Sequence, residues 1–413
     1  MKRLMIGFFV IAALTLSLGC KKTTNEDTAS TSTSTIELKI LSSTSSASAS
    51  GQLAQAIGQA TATQLSSLKY FIRDIKICKT LEVNGSGYSG QSGCLSLYTA
   101  SVTADYDTYL AAEALADTTS YIDLMSSTGR AKLQKAVSLT ETHVGSYNWG
   151  IIDWYRPVKV TAQVGLNDGT SLYTKTGRTT LVSGTGINAV YVTEADNMEV
   201  GPASESIIVL PNGGNWFKFQ SPFVITAEDI TAGTTFNLEL AFNPEGIIKG
   251  YTQSTQTGLG IRDPVSQSVI LVPMLDLVPI AHKAGDLVMK ESYLLKYTGA
   301  TITPLNIRLE LYYLSSDTAK TVYGVEGKYL YTASSTGSVG EFYKTSYVTT
   351  AADGTLEFQD WAKTSFVTGF TRLTTAGDRS TAKLSCSATH GFGSCTTGSL
   401  DVTTELISVG AAQ

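Results

Sequence analysis

The chain has 413 residues and a formal net charge of −5, and only 16% of its residues are charged, which leaves ample apolar sequence for two domains with their own cores. No basic run follows Lys22, so the sequence gives no reason to expect nucleic acid as a partner. The three histidines, at positions 143, 282 and 390, are too few and too scattered for a histidine-rich metal site, and we expect neither a metal nor another cofactor.

Residues 1–19 have the layout of a secretory signal peptide, with two basic residues, an uncharged apolar run over 4–18, and a small residue before Cys20. The apolar run is short for a membrane span of about 20 residues. A cysteine directly after a small residue resembles the lipobox of bacterial lipoproteins, although Ser17 stands where leucine is usual. We therefore predict cleavage before Cys20 and lipid on its sulfur. The alternative is an ordinary signal peptide, or a membrane anchor with an incidental cysteine.

A Ser- and Thr-rich stretch of low complexity follows the cysteine and predicts a flexible tether over residues 20–35. Lys21, rather than aspartate, after the cysteine resembles the enterobacterial pattern for sorting to the outer membrane. The sequence thus predicts a protein held by lipid on a cell-envelope membrane, the outer membrane, at its periplasmic or surface face.

The four remaining cysteines form two local pairs. Cys78 and Cys94 bracket a Gly/Ser-rich turn, and Cys386 and Cys395 bracket a short glycine-containing loop. Because disulfides persist in exported proteins, we predict two bridges, Cys78–Cys94 and Cys386–Cys395. A four-cysteine metal site is the alternative, but the chain has no C-x-x-C spacing.

Alternation of apolar and polar residues predicts strands through most of residues 36–283. Asn167–Gly169 is a hairpin signal between two of them. The predicted strands are 68–78, 157–164, 170–182, 189–192, 206–210, 216–219, 235–242 and 268–277. Two segments, Gly51–Leu65 and Tyr106–Leu115, favour helix. The fold prediction is therefore mostly β with little helix: an antiparallel β-sandwich of Greek-key type, followed by a second, smaller β domain.

Several short motifs support a resemblance over residues 36–283. Asp123–Met125 is followed by Gly145–Tyr147, which leads into a predicted strand, and the runs Phe217–Phe242 and Val269–Leu277 follow later. Together they resemble a widespread family of bacterial lipoproteins known only as a domain of unknown function. The resemblance implies a prealbumin-like sandwich and an envelope location, and it implies no catalytic residues.

A second β domain is predicted over residues 284–413, after the turn Lys283–Asp286 that follows a proline-bearing strand. Asp353–Gly354 occupies a hairpin position. The predicted strands are 287–297, 305–314, 322–331, 341–349 and 355–358.

Four aromatic residues lie within nine positions of the segment that follows Gly145–Tyr147. Strand geometry predicts Tyr147, Trp149 and Tyr155 on one face and Trp154 on the other. One face must belong to the core, and rings on the other would form a platform of the kind that stacks on sugars. We name Trp149, Trp154 and Tyr155 as candidate ligand-binding residues, with core packing of these rings as the alternative.

Motifs for catalysis are absent from the sequence, which has no G-x-S-x-G, H-E-x-x-H or phosphate-binding glycine loop. The three histidines are expected in surface or turn positions. Paired carboxylates at 105 and 107, or at 117 and 123, are better explained as solvated turn residues. The favoured prediction is a non-catalytic lipoprotein that binds a glycan or an envelope or host protein. The alternatives are a structural or assembly component of the envelope and, third, a glycan or ester hydrolase.

Overall fold

The structure is a computed structural model, and it describes 22 stretches of the chain from residue 33 onward. They are 33–42, 60–84, 87–101, 120–166, 171–174, 179–183, 190–193, 198–199, 202–209, 214–242, 248–251, 260–262, 268–271, 277–297, 302–318, 324–333, 338–343, 347–350, 356–359, 370–375, 381–386 and 398–412. Within these stretches no helix is long and apolar enough to cross a membrane.

The protein is mostly β, as the sequence predicts. Within the described stretches there are two short α-helices, α1 (Ser127–Ala131) and α2 (Ala227–Ala232). The strands up to α2 are β1 (Thr35–Ser42), β2 (Ala60–Asn84), β3 (Gly87–Thr99), β4 (Ile122–Asp123), β5 (Ala136–Ser138), β6 (Gly145–Leu166), β7 (Ser171–Thr174), β8 (Thr179–Ser183), β9 (Val190–Thr193), β10 (Met198–Glu199), β11 (Ser206–Val209) and β12 (Gly214–Ile225).

The remaining strands follow α2. They are β13 (Thr235–Phe242), β14 (Ile248–Tyr251), β15 (Gly260–Arg262), β16 (Ser268–Leu271), β17 (Val278–Lys283), β18 (Val288–Tyr297), β19 (Ile302–Leu314), β20 (Gly324–Ala333), β21 (Ser338–Tyr343), β22 (Tyr347–Thr350), β23 (Leu356–Gln359), β24 (Phe370–Thr375), β25 (Thr381–Cys386) and β26 (Gly398–Ala411).

Two sheets enclose the main core. Sheet 1 has the order β17-β13-β1-β5, and β1 pairs with β13 in parallel. Sheet 2 has the order β10-β7-β6-β2-β3, with β11 and β12 also paired to β6 and β4 paired to β2. Alternate residues of β1, namely Ile36, Leu38 and Ile40, face this core, because successive side chains of a strand point to opposite faces.

The main core contains residues from both sheets, so the two sheets pack face to face. Sheet 1 supplies side chains such as Leu238 of β13, and sheet 2 supplies Ile75 of β2 and Val160 of β6, all with no exposed area. This packing is what a sandwich requires. The β-sandwich identity, of Greek-key, prealbumin-like type, stays a prediction.

A nine-stranded sheet follows, with the order β21-β20-β19-β18-β26-β25-β24-β23-β22. Strands β22 and β23 pair in antiparallel fashion on either side of the predicted hairpin, whose turn residues Asp353–Gly354 lie outside the described residues. An apolar cluster joins Ile280 of β17 to Val288 of β18 and Tyr312 of β19. The domain boundary near residue 283 stays a prediction.

The predicted helix Gly51–Leu65 is wrong over the part of it that the structure describes. Residues 60–65 of the predicted helix Gly51–Leu65 belong to β2, and Thr63 pairs with Val164 of β6. Pairing along a long neighbouring strand outweighs the helix preference of alanine and glutamine. Residues 51–59 and the predicted helix Tyr106–Leu115 lie outside the described residues.

Strands β6 and β7 pair in antiparallel fashion on either side of the predicted hairpin, whose turn residues Asn167–Gly169 lie outside the described residues. The predicted strand 170–182 is divided into β7 and β8, which belong to different sheets. Strand 235–242 coincides with β13.

Candidate functional site

The candidate site lies on the face of sheet 2 that points away from the main core. The pairing of β6 with β2 on one side and β12 on the other brings alternate side chains of three strands onto this face. We call it the outer face: Trp149, Ile151 and Asp153 of β6, Cys78, Lys76 and Asp74 of β2, and Lys218, Trp216 and Gly214 of β12.

Trp149 and Trp216 form the aromatic half of the outer face. Their ring centroids lie 5.5 Å apart in an edge-to-face arrangement, with an interplanar angle of 68°. Lys218 Nζ lies 5.0 Å from the centroid of the Trp149 ring. Both indoles are partly exposed, whereas Ile151 between them is completely buried. Partly exposed rings held by packing offer contact area at a low cost in conformational entropy.

Asp74 and Asp153 form the polar half. They are cross-strand partners, and like charges in that position repel each other. Lys76 offsets the repulsion, because its Nζ lies 3.3 Å from Asp74 Oδ2 and 3.5 Å from Asp153 Oδ2. Ser96 Oγ donates to Asp74 Oδ1 at 2.8 Å. The carboxylates are thus held in place and remain 25% and 21% exposed, with lone pairs left for donors on a ligand.

The end of the hairpin formed by β2 and β3 bends back over the outer face. Tyr88 pairs with Val83 near the end of the hairpin, yet its hydroxyl donates a hydrogen bond to Asp153, whose partner on β2 is Asp74. A straight strand from Asp74 to Val83 would run for about 30 Å. The hydrogen bond is therefore possible only because the hairpin folds back.

We call residues 79–84 and 87–93, the described part of the hairpin beyond Cys78 and Cys94, the arm. Leu81, Val83 and Tyr88 of the arm belong to one apolar cluster with Ile151 and the two indoles of the outer face. Among the described residues of the arm, the exposed side chains are polar: Thr80, Glu82, Asn84, Ser89, Gln91 and Ser92. The arm is thus amphipathic and covers the outer face with its apolar side.

The contact between the arm and Asp153 is close and partly buried. Burial, followed by the hydrogen bond to Asp153, raises the pKa of the Tyr88 hydroxyl well above its usual range. Gly214 leaves the space for this contact, since a Cβ there would lie 2.6 Å from Asp153 Oδ1 and 3.4 Å from the Tyr88 hydroxyl. The hydroxyl remains a neutral donor at any physiological pH.

The three aromatic residues named from the sequence occupy different environments. Trp154 is 3% exposed and packs in the main core, edge-to-face with Tyr70 at 5.3 Å. Tyr155 is 1% exposed and contacts Phe71 at 4.6 Å. Trp149 alone of the three is partly exposed, and it belongs to the outer face.

The predicted common face of Tyr147, Trp149 and Tyr155 is wrong for Tyr147. Tyr147 packs in the main core with Trp154, although strand alternation would place them on opposite faces. An irregularity in the pairing of β6 with β12 explains the change, because Tyr147 pairs with Phe223 while Trp149 pairs with Lys218. Such an irregularity reverses, on one side of it, the face of the sheet to which alternate side chains point.

The sequence did not single out Trp216, Tyr88, Asp74 or Asp153. Trp216 lies in a predicted strand, and Tyr88 lies inside the predicted Cys78–Cys94 loop. The Cys78 and Cys94 side chains are at disulfide distance, as the sequence predicts. The predicted bridge is the sequence feature that could have indicated Tyr88, because a bond between the two cysteines holds the segment between them close to β2. Cys395, and with it the Cys386–Cys395 prediction, lies outside the described residues.

Two of the three histidines, His143 and His282, lie in the described part of the chain. The prediction that His282 is a surface or turn residue is wrong: it is 6% exposed, and its Nε2 lies 3.6 Å from Glu239 Oε1. His143 is a turn residue as predicted, and its Nδ1 accepts from the Thr140 backbone N–H at 2.9 Å. Among the residues that the structure describes, no group of three or more His, Cys, Asp or Glu is placed to hold a metal.

The carboxylate at position 123 has a structural explanation. Asp123 accepts hydrogen bonds from Ser67 Oγ at 2.9 Å, Leu68 N at 3.1 Å and Met125 N at 3.0 Å, as expected for a carboxylate that stabilises a turn. The residues at 105, 107, 117 and 390 lie outside the described part of the chain.

Comparison with known proteins adds no relative: no family model, no curated protein and no solved structure matches the chain. The resemblance to the lipoprotein family therefore stays a prediction based on short motifs.

Proposed function

We propose that the protein is an extracytoplasmic lipoprotein, anchored through Cys20 to a cell-envelope membrane, that binds a glycan on its outer face without turning it over. The observation that carries the binding proposal is the position of Trp149 and Trp216 beside the held carboxylates of Asp74 and Asp153. The anchor rests on the sequence of the first twenty residues.

A sugar ring presents an apolar face of C–H groups and a rim of hydroxyl groups. Indole rings contact the apolar face, and carboxylate oxygens accept hydrogen bonds from the hydroxyls. The outer face supplies both kinds of group within one array of three strands. This combination distinguishes it from an ordinary solvent-exposed sheet surface, which carries scattered polar side chains.

Binding without turnover follows from where Lys76 lies. A glycosidase needs two carboxyl groups on either side of the scissile bond, with space for the sugar between them. On the outer face the space between Asp74 and Asp153 is occupied by the Lys76 ammonium group, within 3.5 Å of both. The pair is therefore suited to holding hydroxyl groups rather than to acid–base catalysis.

A glycan array with the mature protein, followed by calorimetry on the strongest glycan, tests the proposal. Trp149→Ala and Trp216→Ala should each weaken binding roughly ten-fold, equivalent to about 1.4 kcal/mol. Leu406→Ala is the control, because Leu406 is 53% exposed and belongs to β26 rather than to sheet 2. Binding that is equally strong in both tryptophan variants would show that the outer face is not the site.

A further inference from the structure

Tyr88 makes two contacts at the outer face that a bound sugar would also make. Its ring packs in the cluster that contains Trp149, Trp216 and Ile151, and its hydroxyl donates to Asp153. A sugar on the same surface would place its ring near the indoles and a hydroxyl on the carboxylate. The arm therefore occupies the surface that the proposed function assigns to the ligand.

The arm is fixed at its base, where Lys79 Nζ donates to Val144 O at 2.8 Å and Lys79 O accepts from Asn148 Nδ2 at 3.2 Å. Its two ends are joined at the Cys78–Cys94 pair, which is fixed to β6 through the pairing of Cys78 with Trp149. Next to this base, Gly93 has a φ of +57°, a left-handed conformation that other residues rarely adopt. Beyond the base, the apolar contacts of the arm with the outer face come from Leu81, Val83 and Tyr88.

Resting on the proposed function, we infer that the arm is a lid over the glycan site and that Tyr88 is its latch. In the free protein the Tyr88 hydroxyl occupies the position on Asp153 that a sugar hydroxyl takes in the complex. Binding displaces the latch, and the opened arm exposes the outer face between the two indoles.

The charges of the site favour a neutral sugar. Asp74 and Asp153 repel an anionic ligand, and the cations that could offset them are already engaged. Lys76 contacts both carboxylates, Lys218 lies over the Trp149 ring, and Arg73, whose charge also acts on Tyr88, lies over the Tyr155 ring. We therefore expect neutral hexoses or N-acetylated hexosamines rather than uronic or sialic acids.

Tyr88→Phe tests the latch, because it removes one hydroxyl and keeps the ring. The measurement is hydrogen exchange of the arm amides in the ligand-free full-length protein, together with calorimetry on the neutral glycan found by the array. The loss of one hydrogen bond should speed exchange in the arm about five-fold and tighten glycan binding by a similar factor. Tyr98→Phe is the control, since Tyr98 lies on β3 outside the arm and packs against the main core.

The results of this experiment test the lid and the proposed glycan binding separately. Unchanged exchange in the arm of Tyr88→Phe would overturn the lid whether or not any glycan binds. Faster exchange with weaker glycan binding would overturn the latch, because Tyr88 would then be a ligand contact. The arm amides of Tyr88→Phe could exchange faster while neither the variant nor the unsubstituted protein binds any sugar. In that case the glycan function and the ligand part of this inference are both wrong. Preference for an acidic over a neutral glycan would contradict the charge argument.

Discussion

Trp154 and Trp216 lie in the same sheet, one on each face, and their side chains should respond differently to truncation. Trp154 is 3% exposed in the main core, so Trp154→Ala should lower the free energy of unfolding by about 3–5 kcal/mol. Trp216 is partly exposed, and Trp216→Ala should cost about 1–2 kcal/mol. Urea denaturation of the two variants measures the difference. Equal losses would mean that Trp216 is a core residue and not part of a binding surface.

Asp286 makes the stability of the turn after β17 depend on acidity. Hydrogen bonds from the side chains of Ser315 and Ser316, and from the backbone of Ser316 and Leu287, lower the pKa of Asp286 to about 2. A lowered pKa contributes stability that is present above the ordinary value of 3.8 and is lost as the pH falls through about 2.

The Asp286→Asn variant should therefore melt at a lower temperature than the unsubstituted protein at pH 6. The difference should shrink as the pH falls below 3.8 and be nearly lost below pH 2, where most of the native carboxyl is protonated as well. Thermal melts recorded by circular dichroism across this range measure it. A difference that is the same at pH 6 and pH 2 would show that the charge of Asp286 does not stabilise the turn.

The hairpin of β2 and β3 is the element on which the site depends, because it carries the arm and one edge of the outer face. Its two cysteines are separated by 16 positions in the sequence. Closing a loop of that length stabilises a fold by about 3 kcal/mol in the chain-entropy description. Cys78→Ala combined with Cys94→Ala should lower the free energy of unfolding by about that amount. A reductant should destabilise the unsubstituted protein and leave the double variant unchanged, and a protein indifferent to both changes would contradict the bridge.

Strands with regular alternation could be predicted from the sequence, and elements without it could not. The segment 235–242 alternates cleanly over its whole length and coincides with β13. The Ala- and Gln-rich segment at 51–65 resembles a helix in composition, but residues 60–65 extend β2 because β6 provides a partner along their length. Local composition does not reveal such a partner.

The outer face could be predicted only in part, for a related reason. Trp149 can be predicted as a site residue because aromatic residues cluster in the sequence around it. Asp153 and Tyr88 are brought together by the bend of the hairpin, 65 positions apart in the chain. A local sequence pattern cannot predict a contact between residues so far apart. It also cannot predict the irregularity near Tyr147, which changes the aromatic residues that share a face.

At the scale of the whole molecule, the anchor is the prediction that decides where the protein works. Cys20→Ser removes the acceptor sulfur and leaves the folded part unchanged. Membrane fractionation should find the unsubstituted protein in the membrane pellet and the variant in the soluble extracytoplasmic fraction. A variant that still sediments with the membrane and migrates unchanged on a gel would contradict lipidation.

The central claim is that a glycan binds to the outer face of sheet 2, and the indole N–H signals of the protein test it most directly. The chain has four tryptophans, so a ¹⁵N-labelled sample gives four indole signals that substitution can assign. Titration with the glycan selected by the array should shift the signals of Trp149 and Trp216 with the same dissociation constant. The signal of Trp154, on the opposite face, should stay in place. Shifts confined to Trp154 or to the remaining tryptophan, or no shift at saturating glycan, would contradict the account.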